Sequence, residues 1–272
     1  MLGRLSSVEH GSVGLAERRR NRRRRIFIFF CFLFLLLSGT AVYGLQQNAV
    51  RISHVQIFGA VNSLTEYATS AMQGSYLGII PRDSIFFFPA YRIRANLLDA
   101  HPEIAAVSIF RNGFTGLSIK ISERMPAARW CGLAPTEGVD EYCYFFDVKG
   151  YIFAAATTTE RLINPFKVYV PLAGDTLEPI RATVANNEKL PSTFDFARQL
   201  STLGVSVTHV VIRTDEVDDY LSSGTRITYV LGDEQNAFTA LISAKENFNL
   251  SDGSIEYIDL RFGGKMYIKR KQ

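Results

Sequence analysis

The sequence predicts an α+β protein in which a single N-terminal transmembrane helix precedes an exported region. An uncharged apolar run near the N-terminus indicates the membrane helix, and the strand and helix patterns that follow it indicate the α+β class. We expect a basic cytoplasmic tail at 1–25, the transmembrane helix at 26–45, a β-α-α-β-β module at 50–123, and a mainly antiparallel β-domain with two helices at 124–272.

The apolar run from Ile26 to Leu45 is long enough to cross a bilayer. Twenty helical residues reach about 30 Å, the thickness of the hydrocarbon core. The first 25 residues hold eight of the 30 Lys+Arg and two of the 26 Asp+Glu, which predicts a cytoplasmic N-terminus. This arginine block fits topology control and contact with anionic membrane lipid better than nucleic-acid binding. The bulk of the chain then lies outside the cytoplasmic membrane.

A cleaved signal peptide is the alternative to a permanent anchor. The strongest apolar block, Ile26 to Leu37, is only twelve residues long, and small residues follow it. However, no clean A-x-A cleavage site is present, and the continuation through Tyr43 to Leu45 supplies spanning length and an interfacial aromatic residue. The sequence therefore favours an uncleaved, single-pass anchor in the inner membrane.

The segment after the anchor predicts the order strand, helix, helix, strand, strand. Val55 and Ile57 share one strand face, and Gly59 ends that strand. Apolar residues then recur at helical spacing in two segments, and the turn sequence RNGFTG joins two further strands. Between the two helices, the three phenylalanines at 86–88 are expected to plug the core.

Within the β-domain, the sequence predicts helices at Ser192 to Leu203 and at Asp233 to Phe248. The segments VSVTHVVIRT and TRITYVL between them alternate as strands. The acidic stretch DEVDDYLSSG that joins these strands lacks the spacing of a calcium loop, and we expect it to be a solvated turn.

The sequence offers no arrangement of residues that would carry catalysis. Its four histidines are scattered, and no hydrolase or nucleotide-binding motif occurs. Cys131 and Cys143 flank a predicted turn outside the membrane, where either a cross-hairpin disulfide or two unpaired thiols would fit, and a zinc site would need further ligands. We therefore expect no enzyme activity, no cofactor, no metal site, no small-molecule substrate and no nucleic acid, but a protein that binds proteins.

Several motifs resemble those of the FtsQ/DivIB family of bacterial cell-division proteins. They are the junction residues Glu123, Arg124, Pro126, Ala128 and Trp130, then Asp147, Gly150 and Ile152-Phe153, the stretch Val170 to Gly174, and the C-terminal YIDLRF at Tyr257 to Phe262. The resemblance covers the anchor and nearly all of the exported chain. It implies that the module is a POTRA domain, and that the protein is a scaffold at the division septum which holds FtsB/DivIC-like and FtsL-like membrane proteins. A POTRA-containing export or membrane-assembly factor is the alternative function.

The sequence of the C-terminal hairpin predicts which residues of its two strands pair. Pairing Phe262 with Met266 and Leu260 with Ile268 sorts apolar and charged side chains onto opposite faces, whereas pairing Phe262 with Lys265 mixes them. The last strand then forms an exposed sheet edge, which the family resemblance implies is the site of strand addition by a partner. The expected partner-binding residues are Tyr257, Asp259, Arg261, Phe262, Gly264, Lys265, Met266, Tyr267, Ile268 and Lys269.

Overall fold

The computed structural model describes most of the chain and divides it into two compact units. The described residues are 11–59, 64–135, 142–156, 162–174, 176, 178–263 and 265–272. The first unit extends up to Leu97 and from Val107 to Ile121, and the second comprises Leu98–Ala106 and Ser122–Gln272.

The N-terminal apolar run is a long helix, α1, Gly11–Leu45. Within the described residues, Arg18–Leu45 is the helix that is long and apolar enough to cross a membrane, and a membrane anchor or a signal sequence would both have this character. The helix ends at Leu45, where the sequence predicts the end of the span. The arginines continue the same helix toward the N-terminus instead of forming a separate segment.

The predicted order of strands and helices is present, mostly within the first unit, with one small addition. The elements are β1 His54–Phe58, α2 Thr65–Ala71, β2 Ser75–Tyr76, β3 Ile80–Pro81, α3 Ala90–Ala100, β4 Ile104–Asn112 and β5 Gly116–Glu123. β1 pairs in parallel with β5, and β5 lies next to β4, while β2 and β3 form a separate short hairpin. Helix α2 contacts β1.

Alternation and helical spacing account for the core of the first unit. Leu117, Ile119 and Ile121 are buried on one face of β5, as strand periodicity requires. Gly59 ends β1 with φ +86°, and a Cβ atom there would lie 2.4 Å from the carbonyl oxygen of Ile121, so only glycine fits. The predicted phenylalanine plug is wrong: Ile85 fills the core, whereas Phe86 and Phe87 are exposed.

The second unit is built on one nine-stranded sheet. Its elements are β6 Ala128–Trp130, β7 Tyr144–Phe146, β8 Ile152–Ala155, β9 Lys167–Tyr169, α4 Leu190–Ser201, β10 Val207–Ile212, β11 Glu216–Leu221, β12 Arg226–Val230, α5 Glu234–Ala244, β13 Ile255–Asp259 and β14 Tyr267–Arg270. The strand order is β14-β13-β12-β11-β10-β9-β6-β7-β8. Five neighbouring pairs are antiparallel and three are parallel, so the sheet is mainly antiparallel, as predicted.

Helices α4 and α5 cover one face of this sheet. Phe196 and Leu200 of α4 and Leu241 of α5 are buried in the same core cluster as Ile227 and Tyr229 of β12. The Phe196 and Tyr229 rings lie 4.3 Å apart between centroids. Both helices follow the predicted segments, but α5 ends at Ala244, four residues before the predicted end at Phe248.

The predicted acidic turn is wrong, because most of that stretch is β11, an interior strand of the sheet. Asp218 and Asp219 are almost completely buried. Asp218 is held by the Arg213 guanidinium at 2.5 Å and by the Thr228 hydroxyl at 2.6 Å, so its charge is satisfied within the fold. These partners lie on the neighbouring segments of the sheet, and charge content along the sequence alone does not reveal them.

The junction motif of the sequence is a buried cluster within the second unit. The Arg124 guanidinium donates to the Asp147 carboxylate at 2.5 Å and to the carbonyl oxygen of Pro102 at 2.9 Å, and it lies over the Tyr151 ring. Asp147 also accepts the backbone N–H groups of Lys149 and Tyr151. Gly150 completes this turn with φ +76°, and a Cβ atom there would lie 2.7 Å from the Val184 side chain.

Two further contacts stabilise the strands beside this cluster. The Trp130 indole N–H donates to the carbonyl oxygen of Val170 at 2.8 Å. Cys131 and Cys143 are joined by a disulfide that links β6 to the start of β7, and Tyr169 and Val211 pack with Cys131.

Candidate partner-binding edge

The C-terminal strand β14 lies at one end of the nine-stranded sheet. It pairs with β13 on one side, and no described strand lies on its other side. Its alternate backbone N–H and C=O groups therefore face away from the sheet and are open to another strand. The position of the edge agrees with the sequence-based expectation.

The predicted hairpin register is wrong by two residues. Ile258 pairs with Ile268 and Asp259 with Tyr267, so Leu260 does not pair with Ile268. The connection is longer than predicted, and the Lys265 N–H donates to the carbonyl oxygen of Phe262 at 2.8 Å across its turn. Because side chains alternate with a period of two, a shift of two residues keeps every side chain on its face, and sorting the faces cannot detect the shift.

The edge hairpin carries the predicted residues on two different faces. Leu260, Met266 and Ile268 pack against the core that lies under the helices. On the opposite face lie Tyr257, Asp259, Tyr267 and Lys269. Phe262 does not pair with Met266, and its ring packs edge-on against Tyr267 with centroids 5.4 Å apart. Arg261, Phe262 and Lys265 are exposed around the turn, and Gly264 lies outside the described residues.

Arg261 is fixed by carboxylates of its own chain. Its guanidinium donates to both Asp259 oxygens, at 3.0 and 2.6 Å, and to Glu216 at 2.6 Å. These hydrogen bonds lower the pKa of Asp259 and the pKa of Glu216, and they raise the pKa of Arg261. Asp259 and Arg261 therefore tie the end of β13 to the start of β11 across the intervening strand β12.

Tyr257 and Lys269 form the outward face of the edge. Both the Arg226 guanidinium, at 5.5 Å, and the Lys269 ammonium, at 5.8 Å, lie near the Tyr257 ring. Lys269 also pairs with Glu256 at 2.8 Å, which raises the pKa of the lysine. This face keeps a positive charge along the outer strand, which suits an acidic or aromatic partner side chain.

A groove beside the hairpin turn was not predicted from the sequence. It has a volume of about 510 Å³, and its walls are α5 on one side and the hairpin on the other. Leu260 and Met266 supply its apolar part from the hairpin, while Ala237, Ala240 and Ala244 supply small side chains from α5. The alanines recur three and four residues apart, a spacing that could have indicated a helix face open to a neighbour.

The arrangement is suited to binding a protein segment. It combines an unpaired strand edge, positive charges and an apolar groove. Among the described residues, no cluster of three or more His, Cys, Asp or Glu could hold a metal ion. Comparison with models of protein families and with curated proteins finds no match for this sequence.

Proposed function

We propose that this protein is a membrane-anchored, non-enzymatic scaffold of bacterial cell division. In this proposal α1 anchors the chain in the inner membrane, the first unit is a POTRA domain, and β14 binds an FtsB/DivIC-like partner by strand addition, with an FtsL-like protein held in the same complex at the septum. The motif resemblance names the partners. The observation that carries the mechanism is the open edge of β14, the strand that comes after the YIDLRF motif, which begins in β13.

The backbone of β14 indicates which N–H groups a partner strand would use. The Lys271 N–H donates to the carbonyl oxygen of Ser254 at 2.9 Å, so it faces β13. Because N–H directions alternate along a strand, the Arg270 N–H faces the open edge. The Arg270 side chain is exposed, so this position can be changed without disturbing the core.

Replacing Arg270 by proline should therefore weaken partner binding while the protein stays folded. Proline removes the outward N–H, and the loss of one backbone hydrogen bond together with the steric block should weaken binding at least about tenfold. The measurement is binding of the full-length chain, held in nanodiscs, to the exported segment of the FtsB-like protein from the same organism.

The matched control is Arg270→Ala, which removes the same charge but keeps the N–H. We expect this control to bind nearly as well as the unchanged protein. Equal losses in both variants would assign the effect to charge and contradict strand addition. Equal binding of a scrambled segment would favour the export-factor function.

A further inference from the structure

Two turns of the first unit expose apolar side chains. They are distinct from the β14 edge, which belongs to the second unit. The first is the tip of the β2–β3 hairpin, where Leu77 is 96% exposed and Ile79 is 50% exposed. The second is the β4–β5 turn, where Phe114 is 68% exposed. We call Leu77, Ile79 and Phe114 the apolar tips. The core of this unit does not bury these three side chains, so packing within the unit does not account for apolar residues at these positions.

Backbone hydrogen bonds tie the first tip to the chain that leaves α1. The Ile52 N–H donates to the carbonyl oxygen of Asp83 at 2.7 Å, and the Ile85 N–H donates to the carbonyl oxygen of Val50 at 2.9 Å. Cα atoms of β3 and α1 also come within 8 Å of each other. The β2–β3 hairpin is therefore held beside the end of the apolar helix.

The second tip is tied to the same short segment. The carbonyl oxygen of Thr115, next to Phe114, accepts the N–H groups of Ser53 at 2.9 Å and His54 at 3.2 Å. Because β1 begins at His54 and runs parallel to β5, both strands start at this end of the unit. Phe114 thus lies at the end of the sheet from which the chain continues to α1.

The conformation of Leu77 is unfavourable for a residue that only meets water. Its φ is +51°, in the left-handed region that side chains other than glycine and asparagine rarely adopt. The structure places a strained backbone at the point where it projects an apolar side chain most fully. An apolar environment for that side chain would offset both costs.

Arginines surround the tips in the way expected at a lipid interface. Arg82 lies over the Tyr76 ring at 5.3 Å, and Arg111 lies over the Phe88 ring at 5.5 Å. Arg51 pairs with Asp83 at 2.6 Å, next to the backbone link with α1. Arginine with aromatic rings at the boundary of an apolar surface is typical of contact with phospholipid headgroups.

We propose that the apolar tips insert into the interfacial region of the membrane leaflet that α1 reaches at Leu45. The first unit is then held against the bilayer at three points: the helix, the β2–β3 tip and the β4–β5 turn. This inference rests on the anchor in the proposed function, but it does not depend on partner binding or on β14.

The test is the depth of fluorescent probes in full-length protein reconstituted in phosphatidylcholine and phosphatidylglycerol vesicles. Single cysteines are introduced into a Cys31→Ala background and labelled with an environment-sensitive dye. The variants are Leu77→Cys, Phe114→Cys and the matched control Phe58→Cys. Phe58 is also exposed, but it lies at the far end of β1. Emission at 77 and 114 should fall with nitroxide-labelled lipid and change little with iodide, whereas emission at 58 should do the reverse.

The native Cys31 within α1 separates failure of the anchor from failure of the tips. If dye on Cys31 is quenched by lipid while dye at 77 or 114 is quenched by iodide, the anchor stands and the proposed membrane contact is wrong. If dye on Cys31 is itself quenched by iodide, the anchor and this inference both fail. No partner is present in the vesicles, so neither outcome bears on strand addition at β14.

Discussion

Replacement of Arg124 by alanine is expected to lower the free energy of unfolding of the second unit by about 3 kcal/mol, the lower end of the cost of breaking a buried ion pair. The Arg124 and Asp147 side chains are only 19% and 10% exposed. Without the guanidinium, the Asp147 carboxylate loses its charged partner, and the carbonyl oxygen of Pro102 loses its side-chain donor. The packing of the arginine over Tyr151 is lost as well.

Trp130 makes this effect measurable within the second unit. It is the single tryptophan of the chain, and it is buried in β6. Denaturant unfolding of the full-length chain in detergent, followed by tryptophan fluorescence, therefore reports on the second unit.

The matched control is Lys269→Ala, which removes a surface cation paired with Glu256 in the same unit. Both of those side chains are about half exposed, so we expect the control to cost less than about 1 kcal/mol. If the two variants lose equal stability, the cluster around Arg124 does not have the structural role assigned to it.

The Arg124 cluster also gives the residues of the junction motif a structural role. An ion pair joins Arg124 and Asp147, and Gly150 lies in the adjacent turn, where the backbone comes close to the start of α4. Such residues report on the fold of the second unit. They touch no part of the β14 edge, so the motif supports the fold more directly than it supports the partner.

Elements that are determined by residues close together in the sequence were predictable. The N-terminal apolar helix, the alternation in β5 and the end of β1 at Gly59 each follow from neighbouring residues. The strand β11 was not predictable in this way, because Asp218 becomes acceptable in a sheet only through Arg213 and Thr228. The exposure of Phe86 and Phe87 was missed for the opposite reason, since the apolar run at 86–88 suggests a core when the adjacent apolar helix α1 is ignored.

The candidate edge was predicted in place but not in detail. The alternation of β13 and β14 fixes which side chains face the core, and it leaves the register open by two residues. The groove was not predictable from the hairpin sequence, because its other wall is α5, which lies elsewhere in the sequence. Arg261 was predicted to contact a partner, and its pairing with Glu216, 45 residues away in the sequence, was not predictable from the hairpin alone.

The second large expected effect concerns Asp219, which is fully buried in β11. The strand places it beside Val210 and Ile227, on the face that the helices cover. By ordinary distance and angle criteria, neither carboxylate oxygen has a hydrogen-bond partner among the described residues. Burial raises the pKa of Asp219 well above its ordinary value, and the charge of Asp218 acts in the same direction, while the nearby Tyr229 hydroxyl acts in the opposite direction and does not cancel the rise.

The raised pKa makes stability decrease as the pH rises. Below the unfolded pKa of about 3.9, both states hold the proton and the carboxyl causes no pH-dependent loss. Above that pH the unfolded chain releases the proton while the folded chain keeps it, so each pH unit costs about 1.4 kcal/mol until the buried group ionises. The Asp219→Asn variant cannot ionise, and its stability relative to the unchanged protein should therefore increase with pH by that amount per unit.

Unfolding followed by Trp130 fluorescence between pH 4 and pH 8 measures this difference. Asp215→Asn is the matched control, because it makes the same substitution at an exposed carboxylate in the same acidic stretch. A difference for Asp219→Asn that rises with pH no more than the difference for Asp215→Asn would mean that Asp219 ionises in the folded protein as it does in the unfolded chain. A rising difference would mean that β11 keeps an uncharged carboxyl in its core, and that the sheet supporting the β14 edge is most stable in mild acid.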